Sequence, residues 1–225
     1  MKTQTLFRSA TIDDCYKIAQ LFSIASDGVA DYMWSTLTKD YPGLTPIEIG
    51  SKRYASDQSV FSYKNCVVAE HDGEVIGMMV TFPIEEASEN NSKATTELKE
   101  LSDEPDILVP YSMEAPGTWC ICALALFPEF RGQGLGTQFL SIARQQAQEK
   151  GFQELSLLCF EQNTGAMKLY QRNGFKVIDR AAIVPHKLIH CTGDVLLMTT
   201  PPLPIPLSPA LVSKQTSMSF NHNKG

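Results

Sequence analysis

The chain has 225 residues, of which 43% are hydrophobic, enough for one domain with a full core and an insertion or a tail. Its formal net charge is −6, which argues against a broad basic surface for nucleic acid. No segment approaches the roughly 18 consecutive apolar residues of a membrane span, and no signal peptide is evident. We therefore expect a cytoplasmic protein without nucleic-acid or membrane partners.

The cysteines and histidines show no pattern typical of a metal site or a disulfide framework. No two cysteines form a CxxC pair, and most lie in hydrophobic segments, as expected of buried thiols in a reducing compartment. His186 and His190 are four residues apart, but Pro185 and a strand-like context weaken a helical metal-binding pair. The sequence predicts no metal. The six cysteines are Cys15, Cys66, Cys120, Cys122, Cys159 and Cys191.

The N-terminal part of the chain predicts a short strand followed by three helices. A strand at residues 6–8 precedes a helix with Thr11 as its cap. Asp27 is expected to cap a second helix that reaches Leu37. A third helix opens at Thr45-Pro46, because proline is favoured at the first helical position.

The middle of the chain predicts a β-hairpin and then a long polar insertion. Residues 66–71 and 74–82 are rich in strand-forming residues, and Asp72-Gly73 between them is typical of a two-residue hairpin turn. Residues 84–117 are polar and acidic, with one short helix expected near 95–101. Such a long excursion is more often a lid or a binding loop than filler.

The C-terminal part alternates strands and helices, which together with the earlier elements predicts a mixed sheet with helices packed on it. Residues 201–225 are rich in proline and are expected to form an extended tail without a catalytic role. Strands are predicted at residues 119–127, 155–160, 175–178 and 195–199, and helices at residues 134–150 and 164–172.

A glycine-rich loop joins the strand at 119–127 to the helix that follows. Alternate glycines leave backbone N–H groups uncovered at a helix N-terminus, where the helix dipole favours an anion such as a pyrophosphate, and an arginine can add a charged contact. The dinucleotide fingerprint is not met, because Thr137 occupies its last glycine position, and no P-loop pattern is present. A turn that serves only close packing is the alternative. The loop reads Arg131-Gly132-Gln133-Gly134-Leu135-Gly136.

Four segments between residues 6 and 200 resemble motifs of the GNAT acetyltransferase superfamily. Arg131, Gly134 and Gly136 fit its phosphate-loop pattern (Q/R)-x-x-G-x-(G/A), and residues 124–130 are similar to its L-A-V-x-P-x-(Y/F) lead-in. The opening Phe7-Arg8-Ser9-Ala10-Thr11 with Asp14 resembles I-R-x-A-T-x-x-D. The pattern N-x-x-A-x-x-L-Y-x-x-x-G-F is matched by Asn163, Ala166, Leu169, Tyr170, Gly174 and Phe175.

This resemblance implies an α+β fold with three α/β/α layers and a mostly antiparallel mixed sheet, in which a parallel strand pair splays apart. It implies acetyl-CoA as the acyl donor, without a metal. The pantetheine arm would pair with backbone groups of Leu124, Ala125 and Leu126, one of which would polarise the thioester carbonyl. Asn163 would reach the amide arm. The pyrophosphate would be bound by Arg131, Gly132, Gln133, Gly134, Leu135, Gly136 and Thr137.

The resemblance also implies transfer of acetyl from acetyl-CoA to a primary amine by direct attack. Tyr170 would be the general acid, because a phenol with a pKa near 10 can protonate a leaving thiolate. No carboxylate stands on the central strands at 120–122 or 157–159, so the general base is open between a water relay, Glu114, Glu161 and an acid in 84–104. The alternative is a protein on this fold that binds acyl-CoA without catalysis.

The acceptor pocket implied by the resemblance lies among residues 27–41, the insertion 84–117 and the turn at 186–192. It would take an amine of a small molecule or peptide, selected as a cation by charge and aromatic ring faces. The alternative is a helix in which Tyr32 and Trp34 are simply buried. An acyl-cysteine at Cys120 or Cys122 is disfavoured by apolar neighbours. A small homodimer is implied at the level of the superfamily. The candidates for cation selection are Asp27, Asp31, Tyr32 and Trp34.

Overall fold

A seven-stranded mixed sheet forms the centre of the protein. The computed structural model describes residues 5–86 and 105–202. The strand order is β1-β2-β3-β4-β5-β7-β6, and only β4 and β5 run parallel. The strands are β1 Leu6–Ser9, β2 Cys66–His71, β3 Glu74–Ile84, β4 Thr118–Leu126, β5 Leu155–Phe160, β6 Lys176–Ala182 and β7 Asp194–Thr199.

Helices cover both faces of the sheet and give two separate hydrophobic cores. The first core lies between the sheet and α1 to α3, and the second lies between the sheet and α5 and α6. This is the predicted three-layer arrangement with its mostly antiparallel sheet. The helices are α1 Cys15–Ser26, α2 Val29–Thr36, α3 Pro46–Ala55, α4 Pro105–Leu108, α5 Leu135–Glu149 and α6 Thr164–Arg172.

A charged network anchors the 3₁₀ turn Ile12–Asp14, which leads directly into α1. Thr11 and Asp14 form a capping box, in which the Asp14 carboxylate accepts from the Thr11 backbone N–H at 2.7 Å. The same carboxylate accepts two hydrogen bonds from Arg8, at 2.7 and 3.0 Å. The Arg8 Nε also lies 2.7 Å from a Glu70 oxygen, which ties β1 to β2. The predicted cap at Thr11 is therefore confirmed.

The predicted cap at Asp27 is wrong. Asp27 ends α1 in the left-handed conformation, with φ 47°, and Gly28 begins α2 with φ 98°. A Cβ on Gly28 would lie 1.7 Å from the Leu188 carbonyl oxygen, so the close approach of the loop between β6 and β7 requires glycine there. The connection between α1 and α2 therefore depends on a tertiary contact that sequence spacing does not reveal.

Two local predictions are confirmed in detail. The Thr45 side chain and Glu48 form a capping box at the start of α3, with Pro46 as its first residue. The turn between β2 and β3 uses left-handed conformations at both Asp72 (φ 53°) and Gly73 (φ 80°), as a type I′ hairpin turn requires.

The insertion is described only at its two ends. Strand β3 continues to Ile84, and the chain resumes with α4 and a 3₁₀ turn at Val109–Ser112, which sequence analysis missed. The helix predicted near 95–101 and the tail beyond residue 202 lie outside the described residues. No helix in the described parts of the chain combines the length and hydrophobicity that a membrane crossing requires.

Candidate active site

The parallel strands β4 and β5 separate after a short stretch of pairing. They pair from Trp119 with Leu155 to Ile121 with Leu157, although β4 continues to Leu126 and β5 to Phe160. Beyond Ile121 the two strands therefore diverge and leave a gap in the middle of the sheet. We call this gap the fork, and it is the splayed parallel pair that the resemblance to the superfamily implies.

A β-bulge in β4 lies at the fork. Ala123 pairs with Val80 and Ile121 with Thr81, so Cys122 is the additional residue on β4. Neighbouring residues of a regular strand face opposite sides of the sheet, yet Cys122 and Ala123 both pack towards the first core. This is expected where a bulge adds one residue to the strand. A bulge bends and twists its strand, which accounts for the divergence of β4 from β5 at this point.

Alternate backbone groups of β4 face the fork. The Phe127 N–H donates to the Ile76 carbonyl of β3 at 3.0 Å. Because successive residues of a strand direct their backbone groups to opposite sides, Leu126 and Leu124 direct theirs into the fork, whereas Ala125 directs its groups towards β3. Of the three residues expected to hold the pantetheine arm, two therefore have suitable backbone orientation.

The glycine loop lies at the mouth of the fork, between β4 and α5. Gly132 and Gly134 have left-handed φ angles of 75° and 83°, and Gly134 is the N-cap of α5. None of the N–H groups of residues 132–136 donates to an oxygen within the described chain. Several donors at a helix N-terminus, next to the positive end of the helix dipole, suit a pyrophosphate.

The other loop residues divide into supporting and ligand-facing positions. The Arg131 Nε donates to the Leu126 carbonyl at 3.1 Å, which fixes the exposed guanidinium beside the loop. The Thr137 N–H donates to the Gly134 carbonyl at 3.1 Å, so it is already used within the helix. The Gln133 side chain donates to the Glu129 carbonyl, and its contribution to a ligand would come from its backbone.

Leu135 and Gly136 connect the loop to the second core. Leu135 is buried in that core, which fixes the first turn of α5. A Cβ on Gly136 would lie 2.9 Å from a methyl group of Leu169 in α6. The glycine therefore allows α5 and α6 to approach each other, so the close-packing interpretation holds for Gly136, while Gly132 and Gly134 face open space.

Asn163 caps α6 in this structure. Its side-chain oxygen accepts from the Ala166 N–H at 3.0 Å, and the residue is exposed. The side-chain NH₂ group of Asn163 remains able to donate to a pantetheine carbonyl, while its oxygen serves the cap.

Tyr170 lies in α6 on the second-core side of the fork. The residue is 7% exposed, and its ring centroid is 5.7 Å from that of Phe175. Burial, and to a smaller extent the nearby Cys159 thiol of β5, raises the pKa of the phenol. Cys159 belongs to the part of β5 that has already separated from β4. Tyr170 is therefore a neutral phenol close to the fork.

The thiols near the fork are poor nucleophiles. Burial raises the pKa of Cys120 to about 12, against a lowering contribution from Ser156 and a raising one from Glu114. Burial also raises the pKa of Cys159 to about 12. Cys120 and Cys122 both pack towards the first core. The raised pKa of Cys120 supports the expectation that it does not form an acyl-cysteine.

Most of the expected acceptor residues have structural partners. Tyr32 and Trp34 are buried in the first core, so the alternative of a helix with buried aromatic residues is the correct one. The Asp31 carboxylate accepts from the Ser23 hydroxyl at 2.5 Å. Glu161 is exposed and lies 3.7 Å from Arg180. Glu114, whose charge acts on Cys120, stays a candidate for the general base beside a water relay, Glu161 and the acids of 84–104.

One aromatic residue beside the fork was missed by sequence analysis. Tyr111, in the 3₁₀ turn before β4, has its ring 6.2 Å from the Phe160 ring at the end of β5. Only the tertiary fold brings the two together.

Among residues 5–86 and 105–202, no three histidine, cysteine or acidic side chains are grouped so that they could hold a metal ion.

Comparisons with solved structures show the same fold. An acetyltransferase is 25% identical, with a TM-score of 0.58 over 87% of this chain and 98% of the other. An N-acetyltransferase from Staphylococcus aureus Mu50 is 22% identical, with a TM-score of 0.57 over 87% and 100%. The protein yncA from Salmonella typhimurium, proposed to be an acetyltransferase and solved with its cofactor acetyl-CoA, is 18% identical, with a TM-score of 0.54 over 91% and 97%.

Comparison at the level of sequence gives the family. No curated protein matches the chain. The family model described as the acetyltransferase (GNAT) family matches residues 30–175, which is more than half of the 225 residues. The matched segment contains the bulge in β4, the glycine loop, Asn163 and Tyr170. The chain belongs to the GNAT family of acetyltransferases.

Proposed function

We propose that the protein transfers the acetyl group of acetyl-CoA to a primary amine of a small molecule or a peptide. The observation that carries this proposal is the fork, with N–H groups of residues 132–136 unpaired at its mouth. An extended arm fits between separated strands, and a pyrophosphate fits the donors of the loop. Acetyl-CoA joins these two chemical features in one molecule and supplies an acetyl group activated as a thioester.

The fork residues would bind and polarise the donor. Leu124 and Leu126 would pair with the amides of the arm as a neighbouring strand does. The Leu124 N–H would also donate to the thioester oxygen, where negative charge develops during attack. Arg131 would add a charge-assisted contact to a phosphate, and the Asn163 NH₂ group would reach an amide carbonyl.

Tyr170 would supply the proton that the leaving group needs. As the C–N bond forms and the C–S bond breaks, the electron pair of the C–S bond passes to sulfur, and the phenol protonates it. A neutral phenol is required for this step, and burial of Tyr170 favours the neutral form. β4 and β5 themselves carry no carboxylate, so the proton of the incoming ammonium would pass to a water relay or to an acid outside these strands, such as Glu114.

The test is release of free CoA thiol from acetyl-CoA across a panel of amines, with acetylated products identified by mass spectrometry. The Tyr170→Phe variant should lower kcat by about 10²-fold or more while CoA affinity stays within twofold. Tyr16→Phe, a change at an exposed position of α1, is the matched control and should retain wild-type turnover. Full activity of the Tyr170 variant would refute the general-acid role. CoA binding without thiol release for any amine would favour the non-catalytic alternative.

A further inference from the structure

The chain crosses over the fork just before β4. Residues 109–117, which we call the crossing segment, follow α4 and lead into β4. At one end the Tyr111 ring contacts Phe160, the last residue of β5. At the other end the Thr118 hydroxyl donates to the Ala115 carbonyl at 2.7 Å and lies 2.6 Å from the Ser156 hydroxyl of β5. Because Tyr111 packs towards the first core, the segment covers the fork on the face opposite Tyr170.

The Tyr111 hydroxyl is buried and has no hydrogen-bond partner within the described residues. Loss of hydration without a replacement bond is costly, so a buried unpaired hydroxyl calls for an explanation. Among the residues that the structure describes, two further buried side-chain groups lack a hydrogen-bond partner. They are the Tyr54 hydroxyl, whose ring packs on Phe22 among the helices, and the Trp119 Nε1. Tyr111 has its ring against Phe160, in the part of β5 that has separated from β4.

One carboxylate, that of Asp27, acts on the Tyr111 hydroxyl. Burial raises the pKa of Tyr111, and so do the nearby Cys191 thiol and the Asp27 carboxylate. Asp27 accepts from the Cys191 thiol at 2.5 Å and lies 3.5 Å from the His190 Nδ1, and its side chain is 45% exposed. A carboxylate close to a neutral phenol favours a positively charged ligand group and disfavours an anionic one.

We propose that the Tyr111 oxygen accepts a hydrogen bond from a cationic nitrogen of the acceptor, and that Asp27 attracts the same group. The inference rests on the proposed function and names the acceptor class: an aliphatic amine with a second positive charge instead of a carboxylate. Tyr111 is then a residue that binds and positions the substrate, on the opposite side of the fork from the proposed acid.

The experiment compares three amines of similar length with the full chain and acetyl-CoA: putrescine, butylamine and γ-aminobutyrate. The wild type should acetylate putrescine with the lowest KM and γ-aminobutyrate with the highest. Tyr111→Phe should raise the KM for putrescine about fivefold, as expected for one lost hydrogen bond, with kcat and the KM for acetyl-CoA within about twofold. Its melting temperature should not fall, because the change removes an unpaired hydroxyl.

Tyr54→Phe is the matched control, since it removes another buried unpaired hydroxyl within the helices. It should leave the KM for putrescine at the wild-type value. If both variants keep the wild-type KM and the wild type is active, Tyr111 has only a packing role and this inference is overturned. A wild type that prefers γ-aminobutyrate would overturn the proposed charge preference. A wild type that acetylates no amine would overturn the proposed function itself.

Discussion

The glycine loop offers a direct test, because the chain contains its own matched control. Gly134 begins α5 with φ 83° and Gly151 follows the end of α5 with φ 82°. A Cβ on either glycine would meet no atom within 4 Å. The substitutions Gly134→Ala and Gly151→Ala therefore impose the same backbone strain at opposite ends of one helix, and only the first places a methyl group where the pyrophosphate is expected.

The size of each effect follows from this geometry. A left-handed conformation costs a residue with a side chain about 1–2 kcal/mol relative to glycine. Neither alanine adds a steric clash within the protein, so both variants should lose about 1–2 kcal/mol of unfolding free energy. This corresponds to a fall of roughly 2–8 °C in the melting temperature of a domain of this size. In Gly134→Ala, displacement of the phosphate should cost a further factor of about ten in CoA affinity.

The assay pairs thermal unfolding with calorimetric titration of CoA. The two variants should unfold at similar temperatures, whereas only Gly134→Ala should bind CoA more weakly than the wild type. Equal CoA affinity for the two variants would show that the loop does not hold the phosphates. A larger loss of stability in Gly134→Ala would instead point to a packing contact that the structure does not show.

Two further predictions concern pH. The raised pKa of Tyr170 extends its protonated, proton-donating form to higher pH, so kcat should not decline before about pH 10; an alkaline decline near pH 8 that Tyr170→Phe abolishes would contradict the raised pKa of Tyr170, whereas no effect of Tyr170→Phe on kcat would contradict its role as the acid. The Arg8 guanidinium lowers the pKa of Asp14, so their interaction stabilises the fold above the usual carboxyl range and is lost as pH falls through the lowered pKa. Asp14→Asn should cost about 1–2 kcal/mol at pH 7, less than a fully buried charged pair, since the Arg8 side chain is 29% exposed. A chemical-denaturation series should show this difference shrinking as the pH falls below the usual carboxyl range, and a constant difference would exclude the charged interaction.

The sequence predicted the regular parts of the fold well, because they carry strong local signals. Strand β5 and helix α6 have the predicted bounds, and the hairpin turn at Asp72-Gly73 has the predicted geometry. The glycine loop was located by its position between a buried strand and an amphipathic helix. Its conformation, with two left-handed glycines and unpaired N–H groups, is the one that its spacing favoured.

The remaining features depend on tertiary contacts that no local pattern contains. Asp27 is a good helix cap by residue type, yet it ends α1 because Gly28 must pass close to the Leu188 carbonyl. Tyr111 follows a proline in an acidic insertion, and nothing in its neighbourhood shows that its ring will reach the end of β5. Asn163 fits both a helix cap and a ligand contact, and the cap is the role that the structure shows.

The central claim is that acyl-CoA occupies the fork between β4 and β5, and a crystal structure with CoA bound tests it most directly. The pyrophosphate should lie within hydrogen-bond distance of N–H groups in residues 132–136. The pantetheine arm should pair with Leu124 and Leu126, and the thiol should lie close to the Tyr170 hydroxyl. CoA bound elsewhere on the protein, or a fork closed by the chain itself, would contradict the account.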